Sequence, residues 1–105
     1  MLLAIDTATR GIGLALYDGV RVLHESTHAA ANRHTVALSD QIARALDEIG
    51  ADMDDVEALA VATGPGSYTG LRIGAALAKG LALARHLPLI GVPTFAIIAA
   101  AQPPD

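Results

Sequence analysis

Apolar and polar positions along residues 1–30 predict three β-strands. Residues 2–5 form a short apolar run that is typical of a buried strand. Residues 11–17 alternate large apolar side chains with small ones, which predicts a second strand. The dipeptide Asp18-Gly19 follows and is a strong signal for a hairpin turn. Residues 20–27 are therefore predicted to return as a third strand, antiparallel to the second.

The pattern then changes to alternating helices and strands. Apolar residues recur at helical spacing after residue 35 and stop before Gly50, which predicts an amphipathic helix: Leu38, Ile42, Ala45, Leu46 and Ile49. Further along, the pattern predicts strands at residues 58–62 and 89–92, a helix at residues 69–84, and a last helix over residues 94–101 after Pro93. The expected fold class is α/β, with a mixed five-stranded sheet. Its first three strands are antiparallel, its later strands are parallel, and helices cover at least one face.

The segment HESTH at residues 24–28 matches the H-E-x-x-H pattern of zinc proteases. That pattern binds zinc only on a helix, where the two histidines lie one turn apart. On the predicted third strand, four residues span about 13 Å. His24 and His28 could then not reach one zinc ion at about 2.1 Å. No metal site is predicted.

Composition narrows the classes of function. The formal net charge is −4, and no basic run is present, so direct tight binding of nucleic acid by this chain is not expected. The chain contains no cysteine, which excludes a disulfide framework and a cysteine zinc site. The first residues lack the basic region of a signal peptide, and no apolar run reaches membrane-spanning length. A cytoplasmic protein without membrane segments is expected.

The sequence DTATR places a carboxylate and two hydroxyl groups directly after the first predicted strand. Ligands of open sheets gather at the carboxyl ends of strands. Asp6, Thr7 and Thr9 are therefore candidate nucleotide ligands, with Asp6 able to hold a hydrated magnesium ion. The alternative is that these side chains only organise the turn through bonds to the backbone. The residues themselves leave both interpretations open.

The glycine-rich sequence TGPGSYTGLRIG joins a predicted strand to a predicted helix, which is a common position for anion binding. It is not a Walker loop, because no lysine follows its last glycine, and its spacing differs from G-x-G-x-x-G. Ser67 is a conceivable nucleophile, but no histidine and aspartate partners are identifiable from the sequence. A helix cap at Ser67 or Thr69 is the favoured interpretation.

Small residues form two rows along the helix that follows this loop. One row recurs every fourth residue, and the other lies on a different side of the helix. The first row is Gly66, Gly70, Gly74, Ala78 and Ala82, and the second is Ala76, Gly80 and Ala84. Glycine inside a helix lowers the stability of the helix by about 1 kcal/mol relative to alanine. Glycines at these positions therefore suggest that another backbone approaches the helix closely. Both rows cannot face one sheet, which favours a partner helix on the other side.

Several of these segments together resemble one family. LAIDTAT, RHT at residues 33–35, GPGSYTGLRIG, GLALA and PLIGVPT are similar to segments of the TsaB (YeaZ) family, and the resemblance covers essentially the whole chain. It implies a ribonuclease H-like lobe of the actin/Hsp70/sugar-kinase (ASKHA) superfamily. It also implies a non-catalytic scaffold subunit in the synthesis of tRNA N6-threonylcarbamoyladenosine, which lacks the metal-binding histidines of its catalytic partner.

The resemblance further implies the partners of the chain and their contact surface. A TsaD-like catalytic subunit is expected to pair through the first-lobe helices, a TsaE-like ATPase to join the pair, and the chain to form homodimers. Transfer RNA would be met only indirectly. ATP or ADP would bind at the interface of the complex and not to this chain alone. The expected contact residues are Arg33, His34, Leu38, Thr69, Gly70, Arg72, Ile73, Gly74 and Leu77.

The chain also departs from the family pattern. Members of the family are roughly twice as long, with a second lobe after the region of QPPD. Residues 1–102 are therefore expected to form a single first lobe, with a linker stub at residues 103–105 and no second lobe. A lone lobe offers half of a nucleotide cleft. The alternative function is an enzyme, either an ATP-binding phosphotransferase relative or a glycoprotease-like protein.

Overall fold

The computed structural model describes residues 1–7, 11–29, 35–64 and 68–93 of the chain. Five strands, two α-helices and one short 3-10 helix make up this part. In chain order they are β1 Leu2–Asp6, β2 Gly11–Tyr17, β3 Val22–Ala29, α1 Thr35–Glu48, the 3-10 helix Met53–Asp55, β4 Ala58–Gly64, α2 Tyr68–Arg85 and β5 Leu89–Pro93. The helix predicted for residues 94–101 lies outside the described residues.

The five strands form one mixed sheet in the order β3-β2-β1-β4-β5. The pairs β1–β2 and β2–β3 are antiparallel, and the pairs β1–β4 and β4–β5 are parallel. The predicted strand directions are thus confirmed. Helices α1 and α2 supply the long connections that parallel neighbours require.

The hairpin between β2 and β3 is longer than predicted, so β3 begins two residues later. The backbone N–H of Asp18 donates to the carbonyl oxygen of Arg21 over 3.2 Å. The carboxylate of Asp18 accepts from the N–H groups of Val20 and Arg21, both at 2.8 Å. Gly19 has φ +103°, a conformation that favours glycine. The turn therefore holds four residues, and its side-chain bonds fix it.

Both helices cover the same face of the sheet. Alternate residues of β1, β2 and β4 point toward the helices and form one buried cluster with them. From the strands the cluster includes Leu3, Ile5, Leu14, Leu16, Leu59 and Val61, and from the helices Leu38, Ile42, Ala45, Leu46 and Ala78. Each fully buried leucine or isoleucine contributes roughly 1.5–3 kcal/mol to this packing. The predicted amphipathic pattern of α1 is confirmed.

Both helices end with a residue in the left-handed conformation. After α1 this is Gly50, with φ +73°, and the N–H of Ala51 donates to the carbonyl oxygen of Leu46 over 2.9 Å. After α2 it is His86, with φ +55°, and the N–H of Leu87 reaches back to Ala82 over 3.0 Å. These are Schellman ends, in which glycine is the usual left-handed residue. Gly50 ends its helix as predicted, while His86 is the less common choice.

Candidate functional site

The two described candidate nucleotide ligands lie on opposite faces of the sheet. Thr7 is buried, and its side chain lies beneath α2, next to Gly74. Asp6 is half-buried and lines a groove of about 260 Å³ on the face away from the helices. Small residues of the neighbouring strands form the floor of that groove: Ala4, Gly13, Ala15, Ala60 and Ala62. The structure therefore does not bring Asp6 and Thr7 to one site, and Thr9 lies outside the described residues.

The first row of small residues on α2 faces the chain's own sheet. Gly74 is buried, Ala78 has no exposed surface, and Ala82 packs partly buried against the core. A methyl group built on Gly74 would overlap the hydroxyl of Thr7 and lie 3.6 Å from a methyl of Val61. The glycine is therefore explained by packing within the monomer. Gly66, at the start of this row, lies outside the described residues.

The second row of small residues on α2 faces outward. Ala76, Gly80 and Ala84 are exposed. A methyl group on Gly80 would meet no atom within 4 Å, so packing within the described chain does not account for this glycine. Leu83, which also lies on the outer side of α2, keeps 79% of its surface exposed. We call these four residues the outer α2 surface. Its side chains are small or apolar, and the surface is exposed.

The structure describes the side chains of five of the nine residues expected at a partner interface. Leu38 and Gly74 are buried by packing within the monomer, and their contact with a partner stays a prediction. Substitution of Gly74 by leucine would disturb the fold and cannot report on pairing. Ile73 and Leu77 are half-buried against the core, and Arg72 is exposed.

The remaining interface candidates are less fully described. The backbones of Thr69 and Gly70 lie in the first turn of α2. Arg33 and His34 lie outside the described residues. Contact of these nine residues with a partner stays a prediction, and the outer α2 surface is a further exposed part of the same helix.

The segment HESTH lies within β3 and not on a helix. The strand assignment is confirmed, and with it the reason for rejecting a zinc-protease arrangement of His24 and His28. No group of three or more histidine, cysteine, aspartate or glutamate side chains able to hold a metal lies within residues 1–7, 11–29, 35–64 and 68–93. In that same part of the chain, no helix is long and apolar enough to cross a membrane.

Sequence reasoning missed the contacts that His24 makes. Its Nδ1 lies 3.2 Å from a carboxylate oxygen of Glu48, at the end of α1. Its Nε2 lies 2.9 Å from the hydroxyl oxygen of Ser26. The two-residue spacing of His24 and Ser26 on a strand could have indicated that they share a face. Nothing local indicated Glu48, because it reaches His24 only through the packing of α1 on the sheet.

Comparison with known proteins places this geometry in a family. The family model described as "TsaD: tRNA N6-adenosine threonylcarbamoyltransferase" matches residues 23–104. The tRNA threonylcarbamoyladenosine biosynthesis protein TsaB of Escherichia coli (strain K12) is 41% identical over 99 residues, which cover 93% of this chain and 42% of that protein. TsaB of Bacillus subtilis (strain 168) is 35% identical, over 94% of this chain and 43% of that protein. The chain thus spans less than half the length of these relatives.

Solved structures agree with the sequence relatives. YeaZ from Pseudomonas aeruginosa superposes with a TM-score of 0.84 at 36% identity, over 93% of this chain and 45% of that one. RuvC from T. thermophilus superposes with a TM-score of 0.57 at 14% identity, a likeness that concerns the fold alone. The expected α/β fold with its mixed sheet is confirmed. The resemblance to the TsaB (YeaZ) proteins is confirmed by the relatives and the solved structures. Because the family model matches most of the chain, the chain belongs to the threonylcarbamoyltransferase family that includes TsaD.

Proposed function

We propose that this chain is a partner subunit in the synthesis of N6-threonylcarbamoyladenosine on tRNA, and that it pairs with a TsaD-like catalytic subunit. The family membership and the names of the relatives support this role. They do not favour the alternative of a phosphotransferase-like or glycoprotease-like enzyme. We further infer that the chain does not itself transfer the threonylcarbamoyl group. Its two described nucleotide candidates, Asp6 and Thr7, lie on opposite faces of the sheet, so they do not form half of a shared cleft.

The observation that carries the pairing is Gly80. A glycine in the middle of an 18-residue helix lowers the stability of that helix by about 1 kcal/mol relative to alanine. At Gly74 the close packing of α2 on the sheet leaves no room for a side chain and so explains the glycine. At Gly80 no contact within the described chain explains it. Close approach of a second backbone over the outer α2 surface gives the missing reason. The neighbouring Leu83 is then an apolar anchor that pairing would remove from water.

Substitution of Gly80 by leucine tests this proposal. Leucine is a good helix former, and the open space around Gly80 leaves the monomer fold intact. A side chain at this position would hold a partner away from α2. We expect the dissociation constant for a TsaD-like subunit to rise at least about tenfold, measured by calorimetry and by the mass of the mixture in light scattering.

The matched control is Val20→Leu, because Val20 is 87% exposed in the β2–β3 hairpin, far along the chain from α2. It enlarges an exposed apolar side chain without touching the outer α2 surface, so pairing should be unchanged. Unchanged pairing of the Gly80→Leu variant would show that the interface lies elsewhere. Complete failure of the unsubstituted chain to bind any TsaD-like subunit would refute the partner function itself.

The remaining assignments of the complex are part of the same proposal. We propose that a TsaE-like ATPase joins the pair, that the free chain forms homodimers, and that ATP or ADP binds only at the interface of the complex. The net charge of −4 supports indirect contact with tRNA, because the chain offers no excess of cations to the phosphates. A cytoplasmic location would follow from this role.

A further inference from the structure

We propose that Ser26 is an activated nucleophile, and that the groove between β3 and α1 accepts an activated acyl group. The proposal rests on the chain of contacts from Ser26 through His24 to Glu48. Ser26 and His24 lie two residues apart on β3, on the face that looks toward the helices, because they pair with Leu14 and Leu16 of β2. Glu48 comes from the last turn of α1. The helix and the sheet together assemble the three groups.

The carboxylate determines the direction of both hydrogen bonds. An ionised carboxylate only accepts, so the Nδ1 of a neutral His24 carries the proton and donates it to Glu48. The other ring nitrogen, Nε2, is then an acceptor that faces the hydroxyl of Ser26 at 2.9 Å. Ser26 therefore donates its proton to His24. Nucleophile, base and orienting carboxylate stand in the same relation in serine hydrolases of unrelated folds.

Access and burial fit this role. The side chain of His24 is only 12% exposed, which holds the ring in place, whereas the Glu48 side chain is 69% exposed. A groove of about 580 Å³ opens at these residues and is also lined by Asp40, Gln41 and Arg44. Arg44 lies in this lining together with the carboxylates of Asp40 and Glu48, so the groove favours an uncharged ester over an anionic substrate.

Acyl transfer to Ser26 needs only the ester substrate and these three side chains. The Ser26 oxygen forms a bond to the acyl carbon, its proton passes to Nε2 of His24, and the leaving group departs with the electron pair of the broken ester bond. The resulting imidazolium lies beside the carboxylate of Glu48 and then gives its proton to the leaving group, which returns His24 to the neutral form. The product is O-acyl-Ser26, which water can later hydrolyse with His24 as the base. Glu48 acts through His24 and is a positioning residue.

A fluorophosphonate probe and p-nitrophenyl acetate test the proposal on the folded chain. We expect one probe molecule per chain, located on Ser26 by mass spectrometry, and a burst of one equivalent of p-nitrophenolate. Ser26→Ala should abolish both signals, whereas Ser39→Ala, an exposed serine on α1, should leave them unchanged. His24→Ala should slow labelling about 100-fold, with partial recovery in added imidazole. Glu48→Gln should slow it about fivefold, because an exposed carboxylate contributes little.

The tautomer of His24 gives a second readout, which is independent of labelling. Nitrogen NMR of the neutral ring should show the proton on Nδ1 in the unsubstituted chain and a shift toward Nε2 in the Glu48→Gln variant. A proton on Nε2 in the unsubstituted chain would overturn the proposal, as would labelling confined to Ser39 or Ser67, or no labelling of the folded chain. His24 would then only tie α1 to β3. None of these outcomes bears on pairing through the outer α2 surface.

Discussion

Replacing Gly74 by alanine places a methyl group where the hydroxyl of Thr7 already lies. The new carbon would also lie 3.5 Å from Cβ of Thr7 and 3.6 Å from a methyl of Val61. Both neighbours are buried and belong to the central strands or their continuation, so they cannot turn away into solvent. Either the Thr7 side chain must change rotamer or α2 must move away from the sheet.

Two opposing effects determine how much Gly74→Ala changes the free energy of unfolding. Alanine in place of glycine stabilises a helix interior by about 1 kcal/mol. Overpacking of a buried contact costs roughly 1–3 kcal/mol. Gly74→Ala is therefore expected to lower the free energy of unfolding by about 1 kcal/mol. Gly80→Ala on the same helix is the matched control, because its methyl group meets no atom within 4 Å and should raise that free energy by about 1 kcal/mol.

Urea unfolding and thermal unfolding, both followed by far-UV circular dichroism, measure the two variants. Thermal midpoints should separate by about 10 °C, since a domain of this size shifts by roughly 4–8 °C per kcal/mol. Combining Gly74→Ala with Thr7→Ala should recover part of the loss, because the second change removes the overlapping hydroxyl. Equal stabilisation by Gly74→Ala and Gly80→Ala would refute the assignment of the Gly74 row to the sheet.

Three further changes test other parts of the fold. His86→Gly should raise the free energy of unfolding by about 1 kcal/mol, because His86 has φ +55°, a conformation that glycine adopts more easily. Gly50→Ala at the equivalent end of α1 should lower that free energy by a similar amount. Urea unfolding curves of the two variants measure both changes. Backbone N–H groups of Arg21 and Val20 hold the pKa of Asp18 below its ordinary value. This stabilisation is present above about pH 4 and is lost as the pH falls through the lowered pKa. Carboxyl NMR should therefore give a titration midpoint for Asp18 below the ordinary value. In the Asp18→Asn variant, the free energy of unfolding should depend less on pH below about pH 4. Leu59→Ala should cost about 3 kcal/mol because Leu59 has no exposed surface, whereas Leu83→Ala, at an exposed position, should change calorimetric stability by no more than about 0.5 kcal/mol.

Local sequence signals were sufficient for the order of the described strands and α-helices. The bounds of β2 were predicted to the residue, since alternating apolar positions and a hairpin dipeptide mark both of its ends. Gly50 marked the end of α1 for an equally local reason, namely the positive φ that a Schellman end requires. The turn before β3 was less predictable, because the Asp18 side chain supports four residues where the dipeptide suggests two.

The function of each helix surface was not decided by local signals. The periodicity of α2 gives two rows of small residues, and either row could contact the sheet. The position of Thr7 in three dimensions decides between them and shows that the row of Gly74 lies against the sheet. Leu38 shows the same ambiguity, since an apolar helix position suits a core and an interface equally, and the structure places Leu38 in the core.

The amino-acid sequence alone determined which segments of this protein are strands and helices, and which family its motifs resemble. Those properties depend on backbone preferences and on the order of residues within a few turns. Only the tertiary structure decided that Gly80 faces outward and that Glu48 reaches His24 across 24 positions of sequence. Such contacts depend on how α1 and α2 lie on the sheet, and that placement is set by the packing of the whole core at once.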